Sequence, residues 1–259
     1  MLRPRIIPCL LVKNGGLVKT QKFANPKYVG DPINAVRIFN EKEVDELIVL
    51  DVDATAQGRE PDYQMIKNVA AECRMPLCYG GGVTTVEQFT RIVSLGVEKV
   101  AVSAAAVRNP ELVARAAEVV GRQSVVVVID VKKTAANRHE VFIVNGSQSS
   151  GVAPAAFAAD MQRLGAGEIV VNSIDRDGGM QGYDLDLVRD VGAAITVPMS
   201  VLGGAGKLAD IAALIREFGV IGAAAGSLFV FKGVYRAVLI NYPNRAEKDA
   251  LLAAALALN

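Results

Sequence analysis

The feature that most constrains the fold of this chain is that it repeats itself. Pro76-Leu77-Cys78-Tyr79-Gly80-Gly81-Gly82 returns as Pro198-Met199-Ser200-Val201-Leu202-Gly203-Gly204, a shift of 122 residues. The same shift carries Glu46 to Glu168, Asp53 to Asp175 and Asp62 to Asp184. After one inserted residue Leu95-Gly96-Val97 matches Phe218-Gly219-Val220, and a shift of 119 carries Val12-Lys13 to Val131-Lys132. Self-similarity at a fixed offset points to repeated supersecondary units. Short apolar, β-branched runs predict strands at 5–12, 46–52, 76–79, 99–103, 125–130, 168–172, 198–201 and 221–225. Helical patterns fall between them, at 33–43, 62–72, 85–95, 110–120, 154–164, 184–191 and 209–218, with a last short helical region over 229–238. Thr85, with Glu87 nearby, reads as the cap of the third helix. A small hairpin arm is expected around 138–144, and 245–259 reads as an alanine- and leucine-rich helical tail.

Eight strands alternating with helices in 259 residues predict a single (β/α)8 barrel of class α/β, residues 1–259, with half-barrels of about 1–122 and 123–244. Two separate domains are the competing reading, but each would carry four parallel strands with open edges. Hydrophobic residues make up 51%, which excludes disorder. A net charge of +1 gives no field for nucleic acid, and no segment reads as a membrane span. Cys9, Cys73 and Cys78 are an odd set without metal-type pairing, so reduced thiols and a cytoplasmic location are expected, with Cys9 and Cys78 as buried small hydrophobes. With His139 as the one histidine, neither a metal site nor a histidine-based triad is expected, and no cofactor is implied.

Chemistry in parallel α/β folds collects at the carboxyl ends of strands. The run Val125-Val126-Val127-Val128-Ile129 ends in Asp130, followed by Lys132 and Lys133. Asp130 is therefore a catalytic candidate, although a loop cap or a lysine partner explains an aspartate there equally well. Each half also has a glycine cluster after its third strand and a small-residue turn after its fourth. These are Gly80-Gly81-Gly82 with Ser103-Ala104-Ala105, and Gly203-Gly204 with Gly226-Ser227. Exposed backbone amides and helix N-termini suit phosphate, and two such cradles across one barrel mouth imply an elongated ligand with a phosphate at each end.

Taken in order, IIPCL, VK-G-VK, GGG, SAAAVRNPEL, ID, GAGEI, SIDRDG-GYDL, GGAG and AAGS span almost the whole chain. In these motifs the sequence resembles the cyclase subunit of imidazole glycerol phosphate synthase, a histidine-pathway TIM barrel. The resemblance implies a glutaminase subunit docked on the amino-terminal face and ammonia passing through the barrel. The ammonia then reacts at the mouth with a bis-phosphorylated formimino ribotide, giving imidazole glycerol phosphate and aminoimidazole carboxamide ribotide. It also implies a proton-transfer pair of aspartates ending the first and fifth strands. Asp130 matches the second; the first falls on Leu11, as does the position that a shift of 119 assigns to the twin of Asp130. The resemblance places Lys19 in the loop over the substrate and Asp177 and Gly178 at a phosphate end, though Asp175 and Asp177 also read as helix caps. Gly81, Gly82, Ser103, Ala104, Gly203, Gly204, Gly226 and Ser227 complete the implied ligand contacts, with Ser103 where the family has asparagine and Leu202 where it has serine. Arg5, Glu46, Lys99 and Glu168 match the ring of charges that gates ammonia, although charged strand starts would also plug a barrel floor as ion pairs.

A gate kept while a catalytic carboxylate is missing makes ordinary cyclase activity doubtful. The pattern, with the ending RAVLINYPN, resembles a branch associated with acetamidino modification of surface-glycan sugars, in which ammonia passes to a separate sugar amidotransferase. The alternatives are a working cyclase in which Asp177 or another carboxylate covers for Leu11, and a phosphate-binding partner that only activates the glutaminase.

Overall fold

The computed structural model describes residues 3–257. Eight parallel strands close on one another: β1 (Arg5–Lys13), β2 (Leu47–Asp51), β3 (Leu77–Gly80), β4 (Lys99–Val102), β5 (Val125–Lys133), β6 (Glu168–Ser173), β7 (Met199–Leu202) and β8 (Gly222–Ala225). Each pairs with the next, β5 pairs with β6 through Glu168↔Val126 to Ser173↔Val131, and β8 pairs with β1 through Arg5↔Gly222 to Pro8↔Ala225. The result is the expected (β/α)8 barrel.

The longer helices are α1 (Pro32–Glu41), α2 (Tyr63–Glu72), α3 (Val86–Ser94), α4 (Glu111–Val120), α5 (Pro154–Leu164), α6 (Leu185–Gly192), α7 (Leu208–Phe218) and α8 (Arg245–Leu256). Their starts follow from local chemistry. Asp62 and Asp184, related by the repeat, each accept a backbone N–H three residues on, from Met65 and Leu187, satisfying an otherwise unpaired first-turn donor. Thr85 caps α3 as expected, but its reciprocal partner is Gln88 rather than Glu87.

Strand alternation sorts the chain into two apolar layers. Ile6, Leu10 and Val12 of β1, and Val125, Val127 and Ile129 of β5, face outward into the shell shared with Phe39, Phe89 and Leu112 of the helices. Ile7, Cys9, Ile48, Cys78, Ala101, Val126, Val128, Val170, Leu202 and Ala224 fill the bore, with Leu11 and Leu50 packed against them. Full burial of such side chains is worth roughly 1.5–3 kcal/mol each, so the bore is lined by packed apolar side chains that also hold the barrel together.

Two segments depart from expectation. The segment around Lys19, expected as a loop, folds as a hairpin of Gly16–Gln21 and Ala24–Gly30, docked on β1 through Leu11↔Val18 and Val12↔Leu17. Its turn places Lys22 (φ 51°) and Phe23 (φ 61°) in the left-handed region, a conformation propensity does not advertise for an aromatic residue. The helix expected over 229–238 is instead one helical turn, Ser227–Val230, then a small hairpin pairing Phe231 with Val238 and Lys232 with Ala237. Gly233 (φ 73°) and Arg236 (φ 51°) make its turn, which a continuing helix cannot accommodate. The arm at 138–144 is present as His139–Ile143, antiparallel to the end of β5. The tail folds as α8, its last two residues lying outside those described.

Candidate functional site

The two ends of the bore are built differently. At the floor, the four charges expected to form a gate come together. Arg5 donates to Glu46 and, at 2.8 Å, to Glu168; Lys99 donates to Glu46 at 2.8 Å and to Glu168 at 2.7 Å. Ser200 Oγ adds a 2.6 Å hydrogen bond to Glu168. Both carboxylates are buried, and each is shared by both cations. Burial opposes ionisation of Glu168, yet Arg5 and Lys99 outweigh it and hold that carboxyl below its usual range. Lys99 is correspondingly raised: burial opposes its charge, but Glu168 and Glu46 prevail.

The mouth cavity is lined from nearly every strand end, by Leu11, Lys19, Asp130, Asn172, Asp177 and the glycine turns among others. The inward row of β5 runs Val126, Val128, Asp130, so alternation alone aims Asp130 into it. Asp130 Oδ2 accepts from Ser103 Oγ at 3.0 Å, and Oδ1 accepts from Asn172 Nδ2 at 2.8 Å. Burial dominates and pushes the Asp130 carboxyl up to about 6, the two donors only partly offsetting it. A carboxyl poised there can hold or release a proton near neutrality.

Across the barrel, on β1, the inward row runs Ile7, Cys9, Leu11. Strands β1 and β5 stand four places apart in the ring of eight, so Leu11 lies opposite Asp130. Its methyls pack on the apolar bore rather than turning out into the helical shell. Asp177, the carboxylate that could stand in for it, is already engaged: its Oδ2 accepts from Thr20 Oγ1 at 2.7 Å and from the Phe23 amide at 3.1 Å. The Asp177 side chain thus anchors the hairpin turn, while its backbone ends the short helical turn Ile174–Arg176; the Asp175 side chain accepts from the Lys133 amide at 2.8 Å.

Lys19, expected in a loop over the substrate, is interior. It lies on the first hairpin strand, is buried, and its Nζ donates to the Cys9 carbonyl at 2.5 Å. Burial lowers its pKa. Gly226 makes room for it, since a Cβ there would come within 2.6 Å of Nζ. Gly178 serves the same hairpin, the Thr20 carbonyl lying 2.1 Å from where its Cβ would stand.

The two glycine turns have matching geometry. Gly81 (φ 126°) passes 2.5 Å from the Asp51 carbonyl, and Gly203 (φ 94°) passes 2.5 Å from the carbonyl of Ser173, in each case measured from the position a Cβ would take. Asp51 and Ser173 are themselves related by the shift of 122. Gly81, Gly82 and Ala104 line one side of the cavity and Gly203, Gly204, Gly226 and Ser227 the other. Ser103 lines it too, but its hydroxyl is committed to Asp130.

Sequence reasoning missed two groups. Asn172 closes the inward row Glu168, Val170, Asn172; the signal was a lone amide ending an apolar strand at even spacing from a charged start. Asp51, buried at the end of β2, accepts from the amides of Asp53 and Ala54 and lies 3.4 Å from Arg59. Cys9 and Cys78 are buried and unpaired, and burial pushes the Cys9 thiol up to about 11, so neither is poised as a nucleophile. Among the described residues no cluster of three or more His, Cys, Asp or Glu side chains is arranged to hold a metal ion, and no helix is long and apolar enough to cross a membrane.

Comparison with known proteins agrees with this architecture. The profile of the family described as Histidine biosynthesis protein matches residues 5–236. A Leptospira interrogans protein provisionally named imidazole glycerol phosphate synthase subunit HisF is 57% identical over 252 residues, covering 97% of this chain and 99% of the relative. A Vibrio vulnificus protein, provisionally named subunit hisF3 of the same synthase, is 56% identical, covering 97% of each chain. The Lactococcus lactis protein named imidazole glycerol phosphate synthase subunit HisF, without that reservation, is 41% identical over 88% of this chain and 89% of its own.

Proposed function

This chain belongs to the histidine biosynthesis protein family, as a subunit of the HisF type, and from that premise we propose that it conducts ammonia without closing the imidazole ring. A glutaminase subunit of the HisH type docks over the floor, where the ring of Arg5, Glu46, Lys99 and Glu168 bars the bore. Ammonia released there passes the apolar interior as the neutral molecule, since charge is expelled from such a medium. At the mouth it is handed to a separate amidotransferase that turns the acetamido group of a surface-glycan sugar into an acetamidino group, all in the cytoplasm.

The observation that supports this reading is Leu11. Ring closure on the ribotide moves several protons, and a positioned acid or base is worth roughly 10²–10⁴ in rate. Asp130 is half-buried at the mouth with its carboxyl pushed up to about 6, but the side chain opposite it is aliphatic and Asp177 is occupied with Thr20 and Phe23.

Ordinary cyclase activity is the second reading. It is favoured by the two matched glycine turns, which suit a ligand phosphorylated at both ends, and by the name of the Lactococcus relative. Purified chain supplied with an ammonium salt and the bis-phosphorylated ribotide separates the two. The expected outcome is imidazole glycerol phosphate at no more than background, and formation at an ordinary enzymatic rate would overturn the proposal. Isotope-labelled glutamine, with the glutaminase and the sugar amidotransferase present, should place label in the acetamidino group only when this chain is included.

A further inference from the structure

Apolar exposure is concentrated on one short element at the rim of the mouth. In the hairpin that pairs Phe231 with Val238, the tip residues Val234 and Tyr235 are 95% and 96% exposed, so both side chains meet almost nothing of their own chain. Val238 and Leu239 are exposed as well. Single exposed apolar side chains are ordinary, but a group of them on one projecting element marks a contact surface. The stem below the tip is braced. The Phe231 ring carries Arg236 at 4.8 Å from its centroid and Lys27 of the first hairpin at 5.4 Å. Asn241 Nδ2 donates to the Phe231 carbonyl at 3.3 Å and to the Leu239 carbonyl at 3.1 Å.

Two contacts place this hairpin beside the mouth. Arg236 Nη2 donates to the Gly178 carbonyl at 3.3 Å, and Gly178 lines the mouth cavity. Lys27, against Phe231, follows Pro26, which lines the same cavity. Charge sets this stretch of rim apart. Neither hairpin, 16–30 nor 231–238, contains an acidic residue, whereas together they carry Lys22, Lys27, Lys232 and Arg236 besides the buried Lys19. Lys22, Lys27 and Lys232 are exposed. The surface is therefore apolar at its tip and positive around it, in a chain whose net charge is only +1. An apolar centre flanked by charge of one sign fits a protein partner of the opposite sign.

We propose that the hairpin tip, Val234 and Tyr235, is the docking point of the ammonia-consuming sugar amidotransferase, which seats an apolar recess over the tip and acidic side chains over Lys27 and Lys232. This deepens the ammonia-conducting reading and rests on it. Ammonia that escapes into bulk water takes up a proton and loses the lone pair with which it attacks, so the acceptor enzyme has to be fitted over the mouth. The glutaminase docks over the floor, at the opposite end of the bore, so both enzymes sit on the barrel at once. Tyr235 is the anchor: a large, stiff side chain with an apolar body and a polar tip is the type that dominates binding at the centre of an interface.

The test titrates purified sugar amidotransferase into the complex of this chain with its glutaminase and follows the heat of binding. Val234→Ser combined with Tyr235→Ser should weaken binding by about thirtyfold or more, the effect of losing an interface anchor. Lys232→Glu should weaken it by about tenfold in dilute buffer and by much less at about 0.5 M salt, because exposed charges are screened. All three side chains are exposed, so the variants should unfold in urea at the same midpoint as the unaltered chain. No binding by the unaltered complex, or undiminished binding by the folded variants, would overturn the site. So would a dimer of this chain, seen by sedimentation, that the double serine variant abolishes, since the surface would then belong to a second copy. Transfer of labelled nitrogen separates the site from conduction. Transfer by the double variant at an unchanged KM for the amidotransferase sinks the site alone, and tip-dependent binding without labelled transfer sinks conduction and leaves the site.

Discussion

The floor and the mouth of this barrel use the same residue types to opposite ends. At the floor two cations and two carboxylates satisfy one another completely: each anion is shared by Arg5 and Lys99, and Ser200 fills a further lone pair of Glu168. At the mouth polar groups are left in reserve. Asp130 is half-buried without a cationic partner, Lys19 is buried against a backbone carbonyl, and Asn172 Oδ1 is unpaired. A fully paired cluster is a plug, since nothing in it gains from a ligand. A partly paired one costs stability in the empty protein, and that cost is recovered when a ligand binds. The contrast sets a closed floor against a mouth with polar groups in reserve, and it can be attacked from either side.

The largest effect is expected from making the mouth symmetrical. Leu11→Asp places a second carboxylate opposite Asp130. If the rest of the mouth is sound, imidazole glycerol phosphate formation from ammonium salt and ribotide should rise by roughly 10²–10⁴. No gain would mean that Leu11 is not the deficit, and would move attention to Leu202 and to Ser103, whose hydroxyl serves Asp130.

The next blow falls on the floor. Glu168→Gln keeps the shape but leaves Arg5 and Lys99 sharing Glu46 alone. Breaking a buried, hydrogen-bonded pair by removing one partner costs about 3–5 kcal/mol. Urea unfolding at neutral pH should show it, and a loss under about 1 kcal/mol, the level of an exposed pair, would mean that water already screens the ring.

The mouth should behave in the opposite sense. Asp130 holds its proton more tightly in the folded chain, near 6, than an ordinary aspartate does. The native state therefore binds more protons than the unfolded state between about pH 4 and pH 6, and stability falls as pH rises through that window. Above it the penalty is present in full, and below it the penalty vanishes. Asp130→Asn removes the charge and should raise unfolding free energy by about 2 kcal/mol at about pH 8, with the gain gone by about pH 4. A substitution that destabilises equally at both pH values would contradict a costly carboxylate that lacks a cationic partner.

The frame was legible because periodicity writes it plainly. The shift of 122 marks Asp62 and Asp184 as counterparts, and both cap helices; it marks Gly81 and Gly203, and both make the same close approach. Alternation from Glu168 also reaches Asn172, but a single amide ending an apolar run is a weak signal until its neighbour Asp130 is known across the sheet. Lys19 and Asp177 were legible as residues and not as neighbours, because what joins them is a hairpin whose turn depends on left-handed Lys22 and Phe23. Nor do local patterns distinguish one helical turn followed by a hairpin from a helix over 229–238, where β-branched and aromatic residues fit both.

That hairpin supplies the smallest and most local test. Thr20→Val keeps the side chain's volume and removes one donor, the hydroxyl that Asp177 Oδ2 accepts at 2.7 Å. Asp177 keeps the Phe23 amide, so it is weakened and not stranded. A hydrogen bond to a charged group is worth about 1.5–3 kcal/mol when buried, and partial exposure here should bring the loss to about 1 kcal/mol. Because the hairpin covers the mouth and not the core, the effect should show less in global unfolding than in faster proteolytic cleavage near Lys22. The floor should not register the change: the unfolding cost of Glu168→Gln should be the same with threonine or valine at position 20, as expected for sites that share no partners. A cost that depended on residue 20 would mean that the two ends of the bore are coupled through the packed interior, and the separation between a closed plug and an open, ligand-ready mouth would have to be redrawn.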